Sequence, residues 1–111
     1  MSTGKQTGLY VRFAESDPAA VEQRMAQMDA HKAYLRSEET MPLGFRILAS
    51  GPMQAESAGS SAALIIAEAR CIEDMIAFSA ADPFVVHGVY KSVRILRWTP
   101  TLSRISGLKP D

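Results

Sequence analysis

Four short segments of this chain have the apolar–polar alternation or the apolar run typical of β-strands. In residues 9–13, "LYVRF", the side chains of Leu9, Val11 and Phe13 point to one face of the predicted strand. Tyr10 and Arg12 point to the other face. The remaining strand-like segments are "FRILAS", "ALIIAEA" and "VYKSVRILRW". Their order relative to two helical segments constrains the fold more than any other feature.

The first helical segment is predicted to run from residue 18 to about residue 37 and the second from residue 71 to about residue 81. Asp17 can cap the first helix, and Pro18 suits its first position. The segment contains no internal glycine or proline. Residues spaced three or four apart form a mostly apolar stripe along this helix. The stripe contains Val21, Met25, Met28, Lys32 and Leu35.

The predicted order, strand–helix–strand–strand–helix–strand, is that of an α+β, ferredoxin-like βαββαβ fold. In this fold a four-stranded antiparallel sheet carries both helices on one face. The length of 111 residues predicts a single domain. We expect an ordered core over about residues 7–98, a hairpin loop over residues 53–61, a polar leader over residues 1–6 and an irregular tail over residues 99–111.

The second face of the predicted sheet also carries apolar residues. Tyr10, Leu64 or Ile65, Leu96 and Trp98 are assigned to it. Two helices cover only one face of the sheet, and an apolar sheet face left exposed to solvent is typical of an interaction surface. The sequence therefore predicts a homodimer in which two sheets pack face to face, and it leaves a higher oligomer open.

The charge balance argues against several kinds of partner. Lys plus Arg and Asp plus Glu number 12 each, so no net field attracts nucleic acid or an anionic membrane. The single cysteine excludes an internal disulfide and is consistent with a reducing compartment. No long apolar segment or signal-like leader occurs. These observations predict a cytoplasmic protein.

Common cofactor and metal motifs are absent from the sequence. It contains no phosphate-binding or dinucleotide-binding glycine loop, no HExxH and no paired CxxC. With two histidines and one cysteine, a zinc site is not expected. We therefore predict neither a cofactor nor a metal. The residues with catalytic potential are His31, Asp82, Cys71, His87, Ser50 and Ser60.

His31 lies in the first predicted helix, three residues after Met28 and four before Leu35. This spacing places the imidazole toward the sheet or the seam beside it. It is either a partly buried structural histidine or a general acid–base group that needs a carboxylate to fix its tautomer.

Asp82 precedes Pro83, and the proline favours the extended backbone geometry that a helix N-cap requires. The local pattern favours a cap for a short turn that begins at Pro83. A carboxylate has two oxygens, so Asp82 could also accept a hydrogen bond from a histidine.

Three further features have mainly structural interpretations. Cys71 begins the second helix, where a thiol can become reactive, but a small residue at a cap position is the favoured interpretation. His87 is assigned to a loop or an edge. Gly51 and Pro52 are expected to end the second strand, and they could shape the floor of a pocket.

Four stretches taken in order, "HKAYL", "ASGP", "IIAEA" and "AADPFVVHGVYKSVRILRW", resemble the YciI-like (YCII-related) family over about residues 7–98. The resemblance implies a dimeric α/β barrel of the ferredoxin-like type, related in fold to muconolactone isomerases. It also implies a His–Asp dyad at a pocket floor, formed here by His31 and Asp82. Members with assigned chemistry act on small ring compounds, one of them by removing HCl from a chlorinated hydroxyquinol. Cys71 departs from the Ser or Asp common in relatives.

Three functional hypotheses remain open. The first is a cofactor-independent lyase or isomerase in which His31 moves a proton on a small cyclic or unsaturated metabolite while Asp82 orients the imidazole. Its substrate-binding residues would be Tyr34, Gly51, Pro52 and Phe84. The alternative is a dimeric small-molecule-binding or accessory module without chemistry. The third is a cofactor-free oxygenase.

Overall fold

The computed structural model describes residues 7–54 and 61–108, and its strands form one antiparallel sheet in the order β2–β3–β1–β4. The elements are β1 (Gly8–Ser16), α1 (Val21–Arg36), β2 (Arg46–Gln54), β3 (Ser61–Ala69), α2 (Ile72–Ala80), α3 (Pro83–Val86) and β4 (Tyr90–Trp98). Single 3₁₀ turns occupy Pro18–Ala20 and Glu38–Thr40. The α+β, ferredoxin-like fold predicted from the sequence is confirmed.

The predicted leader, most of the hairpin loop and the end of the tail lie outside the described residues. Residues 99–108 of the tail contain neither helix nor strand. Within the described ranges, no helix combines the length and the apolar character needed to cross a membrane.

The core lies between the sheet and α2, with the C-terminal part of α1 beside it. Its buried members come from three strands or their flanks and from α2: Tyr10, Phe45, Ile65, Ala67, Ala69, Met75 and Phe78. Tyr34 and Leu35 of α1 pack against this cluster. Burial of these apolar side chains stabilises the fold by about 25 cal/mol per Å² removed from water.

The sequence assigned Tyr10 to the wrong face of the sheet, and it left open whether Leu64 or Ile65 lies on the uncovered face. The structure places Leu64 there, whereas Ile65 lies on the core side with Tyr10. Tyr10 and Ile65 are buried, at 4% and 2% exposure, and both belong to the core beneath the helices. The charge of Arg12 made this face of β1 look solvent-exposed, yet Arg12 is itself completely buried. The opposite, uncovered face carries Phe13, Leu64 and Leu96, which the strand register brings side by side with Val11 and Ile66.

The apolar stripe proposed for α1 faces inward only in part. Met28 and Leu35 line a cavity beside the sheet, and Leu35 also packs against the core. Val21 and Met25 are 56% and 74% exposed, and His31 is the buried residue of α1. The inward surface of α1 carries polar residues as well as apolar ones, so apolar periodicity alone does not mark it.

β2 continues through Gly51 and Pro52 to Gln54, so this pair does not end the strand as predicted. β2 lies at an edge of the sheet, where a proline without an N–H can be tolerated. The register shifts between Ile47 and Ala49. An extra residue of this kind exchanges the two faces of a strand. Ser50, Pro52 and Gln54 consequently share the helix-facing side.

Candidate active site

Asp82 caps α3, as its sequence context predicts. Its backbone is extended, with φ −64° and ψ 127°, and Pro83 occupies the start of the helix. The backbone N–H of Phe84 donates to Oδ1 of Asp82 at 2.9 Å. Such a cap typically contributes about 0.5–2 kcal/mol to stability. The proline and the cap together fix where this carboxylate points.

His31 of α1 contacts the same carboxylate. Its Nδ1 lies 2.7 Å from Oδ1 of Asp82, and the two residues are 9% and 0% exposed. The imidazole also stacks on Phe84, with parallel rings whose centroids are 3.9 Å apart. One element therefore supplies both the hydrogen-bond partner and the packing surface of the histidine. The catalytic role of the pair stays a prediction.

Arg12 is a third member of this cluster that the sequence analysis missed. Its Nη1 donates to Oδ2 of Asp82 at 2.8 Å, and both side chains are fully buried. The same guanidinium lies 3.4 Å from the hydroxyls of Ser79 and Tyr90. Among the described residues, its Nε is buried without a hydrogen-bond partner. The sequence offered one indication of this burial: in β1, Arg12 shares a strand face with Tyr10 and Ala14.

The pKa of Asp82 is lowered from its ordinary value. Burial of the carboxyl raises this pKa, but the hydrogen bonds from His31 and from the Phe84 N–H and the charge of Arg12 together outweigh the burial. The carboxyl is thus ionised at neutral pH and acts only as an acceptor. His31 must then carry its proton on Nδ1 when neutral, which leaves a lone pair on Nε2.

A cavity of about 740 Å³ adjoins His31, within the usual size range of small-molecule sites. Three of the predicted substrate-binding residues, Gly51, Pro52 and Phe84, line this cavity. Ser50 of β2 and Arg12 of β1 line it as well. Further lining residues that the sequence analysis did not assign to a site are Tyr90, Arg24, Lys32 and Arg36. Burial raises the pKa of the Tyr90 phenol, although the charge of Arg12 opposes the effect. Tyr90 is therefore a protonated phenol at neutral pH.

Tyr34, predicted to bind substrate, lies among the core residues and not along this cavity. Its hydroxyl donates to the carbonyl oxygen of Phe78 at 2.8 Å, and its ring stacks on the Phe78 ring. Both the polar and the apolar parts of the side chain are thus engaged in packing α1 against α2. We do not include Tyr34 in the candidate site.

Neither Cys71 nor His87 lines the cavity. Cys71 is the N-cap of α2, and its side chain makes no capping hydrogen bond. His87 is the exposed C-cap residue of α3, and Ser60 falls outside the described residues. No group of three or more His, Cys, Asp or Glu side chains in residues 7–54 and 61–108 is arranged to hold a metal ion.

Comparison with known proteins places the site in a family context. The family model described as the YCII-related domain matches residues 8–99. The chain is 33% identical over 93 residues to Protein YciI of Escherichia coli O6:H1 and to that of Shigella flexneri, a match that covers 78% of this chain and 92% of each relative. An uncharacterised protein of Haemophilus influenzae is 31% identical over 90 residues, covering 76% of this chain and 89% of the relative.

One solved structure is similar in fold, with a TM-score of 0.67 and 23% sequence identity. It is the 5-chloro-2-hydroxyhydroquinone dehydrochlorinase of Burkholderia phenoliruptrix in complex with 2,5-dihydroxybenzoquinone. The similarity covers 82% of this chain and 93% of that chain. At this identity the likeness establishes a shared fold.

Proposed function

This chain belongs to the YCII-related domain family, and from that premise we propose that it is a small cofactor-independent enzyme, a lyase or an isomerase. The proposed substrate is a small cyclic or unsaturated metabolite on which His31 moves a proton. The observation that carries the proposal is the 2.7 Å contact between Nδ1 of His31 and Oδ1 of Asp82 beside a cavity of about 740 Å³.

In the proposed reaction, Nε2 of His31 takes a proton from an acidic C–H or O–H of the substrate. Asp82 stays ionised, holds the Nδ1–H and stabilises the imidazolium that forms. Return of the proton to a different substrate atom completes an isomerisation. Departure of a leaving group from the deprotonated substrate completes an elimination, and the imidazolium then returns its proton to solvent or to the leaving group.

The walls of the cavity support a small, partly apolar substrate. Pro52 and Phe84 supply apolar surface, and the Tyr90 hydroxyl is a hydrogen-bond donor near Arg12. The fold neighbour that removes HCl from a chlorinated hydroxyhydroquinone was solved with a dihydroxyquinone bound. This supports hydroxylated rings as the first substrate class to examine for the present chain.

Solvent isotope exchange tests the proposal directly. We expect the protein, with no added cofactor, to incorporate deuterium from D₂O into at least one compound of a panel of hydroquinones, hydroxyquinones and unsaturated lactones. Mass spectrometry of substrate and product detects the exchange. A Cys71→Ser variant is the matched control and should exchange at the wild-type rate, because Cys71 lies at the opposite end of α2 from Asp82 and does not line the cavity. Binding of these compounds without exchange or conversion would instead support the non-catalytic module.

We also propose a homodimer formed through the uncovered face of the sheet. Phe13 and Leu96 are 37% and 48% exposed on this face, and burying them against a second copy would remove a contiguous apolar surface from water. Size-exclusion chromatography with light scattering should give the mass of a dimer, and Leu96→Glu should shift it to the monomer. Met25→Glu, on exposed α1 surface, should leave the dimer intact. A monomeric wild type at micromolar concentration would contradict this assembly.

A further inference from the structure

Three cationic side chains line the cavity without an ionic partner. Arg24, Lys32 and Arg36 of α1 all contribute to its wall. The ion pairs found among the described residues involve none of them. The described part of the lining includes no Asp or Glu. The carboxylate below the cavity, Asp82, is already paired with Arg12 and His31.

This positive potential is local, because the chain as a whole has a formal net charge of zero. A cleft lined by charges of one sign and bounded by apolar walls concentrates its field on whatever enters it. Like charges held close together repel one another, at a small cost where the side chains are exposed to solvent, as those of Lys32 and Arg36 are. Such a cost is offset when an anion binds among them.

The cations flank the proposed base along α1. Arg24 lies seven residues before His31, about 10 Å along the helix axis and on the same helix face. Lys32 directly follows His31, and Arg36 lies one turn beyond Lys32. Arg24 is also held in place. Its guanidinium donates to the hydroxyl of Ser16 and lies over the Phe84 ring, 5.1 Å from the centroid.

Phe84 is the ring on which His31 stacks, so a single aromatic side chain positions both the base and the Arg24 cation. The part of the lining that comes from β2 and β3 includes the apolar residues Pro52, Ala63 and Ile65 beside the polar residues Ser50 and Gln54. The site thus combines a fixed guanidinium, two more exposed cations and an apolar wall. A ligand that satisfies all three has a negative group attached to an apolar body.

We infer that this site binds a small organic anion, an apolar ring or chain that carries a carboxylate, phenolate or enolate. Arg24 is the specificity-determining residue that contacts the negative group, and Lys32 and Arg36 attract the ligand to the cavity. The inference deepens the proposed function, since it names the substrate class of the same site. The same cations would also stabilise the negative charge that proton abstraction by His31 leaves on the substrate.

Binding of matched probes tests the inference without requiring turnover. Benzoate and benzamide have the same ring and nearly the same shape, but only benzoate is charged. The protein is titrated with each compound to tens of millimolar and followed by proton–nitrogen correlation spectra. Benzoate should shift the amide signals of α1, Ser50 and Phe84. The dissociation constant of benzamide, obtained from the same signals, should be at least about tenfold higher than that of benzoate. Inorganic phosphate should bind more weakly than benzoate, because it cannot use the apolar wall.

Arg24→Gln should weaken benzoate binding about tenfold while leaving benzamide binding unchanged. Arg104→Gln, an equal loss of charge on the exposed tail, should leave both unchanged. The inference is overturned if benzoate fails to shift these signals, if benzamide binds equally well, or if the two arginine variants behave alike. Arg24-dependent benzoate binding by a protein without His31-dependent turnover would uphold the anion site and reject the enzyme. His31-dependent turnover of neutral compounds alone would do the reverse.

Discussion

Replacing His31 with alanine is expected to lower kcat/KM for the proposed proton transfer by roughly 10²- to 10⁴-fold, the usual contribution of a positioned general acid–base group. The loss should fall on catalysis and not on folding. Asp82 keeps its partner Arg12 at 2.8 Å when the imidazole is removed, so no buried carboxylate is left without a counterion. The N-cap hydrogen bond from Phe84 is also retained.

The measurement uses a substrate identified by the isotope-exchange screen, with initial rates of wild type and variant compared at saturating and limiting concentration. His87→Ala is the matched control, because it removes the other histidine of the chain from an exposed position at the end of α3. That variant should keep wild-type kinetics. Turnover by His31→Ala at the wild-type rate would remove His31 from the mechanism.

Replacing Asp82 with asparagine is expected to lower the free energy of unfolding by about 3–5 kcal/mol, the cost of breaking a buried ion pair by removing one partner. Arg12 is fully buried, and Oδ2 of Asp82 is the one carboxylate oxygen within salt-bridge distance of it among the described residues. The asparagine leaves this guanidinium charged and uncompensated. Activity loss in Asp82→Asn therefore mixes a catalytic effect with a structural one.

Urea denaturation followed by circular dichroism measures the effect. Asp74→Asn is the control, since Asp74 in the first turn of α2 forms a solvent-accessible pair with Arg70, which precedes the helix. Its loss should cost no more than about 0.5 kcal/mol. The double variant Arg12→Met with Asp82→Asn should recover part of the stability lost in Asp82→Asn, because it removes the unpaired charge as well. Equal stability losses in the two asparagine variants would contradict the role assigned to Arg12.

The lowered pKa of Asp82 gives this stability a pH dependence. A carboxyl whose pKa is lower in the folded state stabilises the fold fully above its unfolded pKa of about 3.9. The contribution is lost as the pH falls toward and through the lower folded-state pKa. The difference in unfolding free energy between wild type and Asp82→Asn should therefore be constant near neutral pH and shrink in acid.

Features of this fold that depend on neighbouring residues could be predicted from the sequence. The order of strands and helices follows from periodicity within each segment. The cap at Asp82 follows from the adjacent Pro83, because the extended backbone, the accepting carboxylate and the donor N–H of Phe84 all lie within three residues. The contact between His31 and Asp82 needed more than local pattern, and the family resemblance supplied it.

Features that depend on distant residues could not be predicted. The burial of Arg12 requires Asp82, 70 positions further along the chain, and without that pairing an arginine in a strand indicates an exposed face. Because this pairing was not predicted, Tyr10, which lies on the same face as Arg12, was also assigned to the wrong side of β1. The wall formed by Ser50, Pro52 and Gln54 depends on the register shift after Ile47, which appears only when β2 is paired with β3.

The proline in β2 also limits how copies of this chain can associate. β2 has a hydrogen-bonded neighbour on one side only, and an open strand of this kind is a template on which another β-strand can be added. Pro52 interrupts the row of amide donors along β2, beside the cavity. Continuous edge-to-edge growth of the sheet past this point is therefore disfavoured, so the cavity wall at Pro52 stays the border of the sheet.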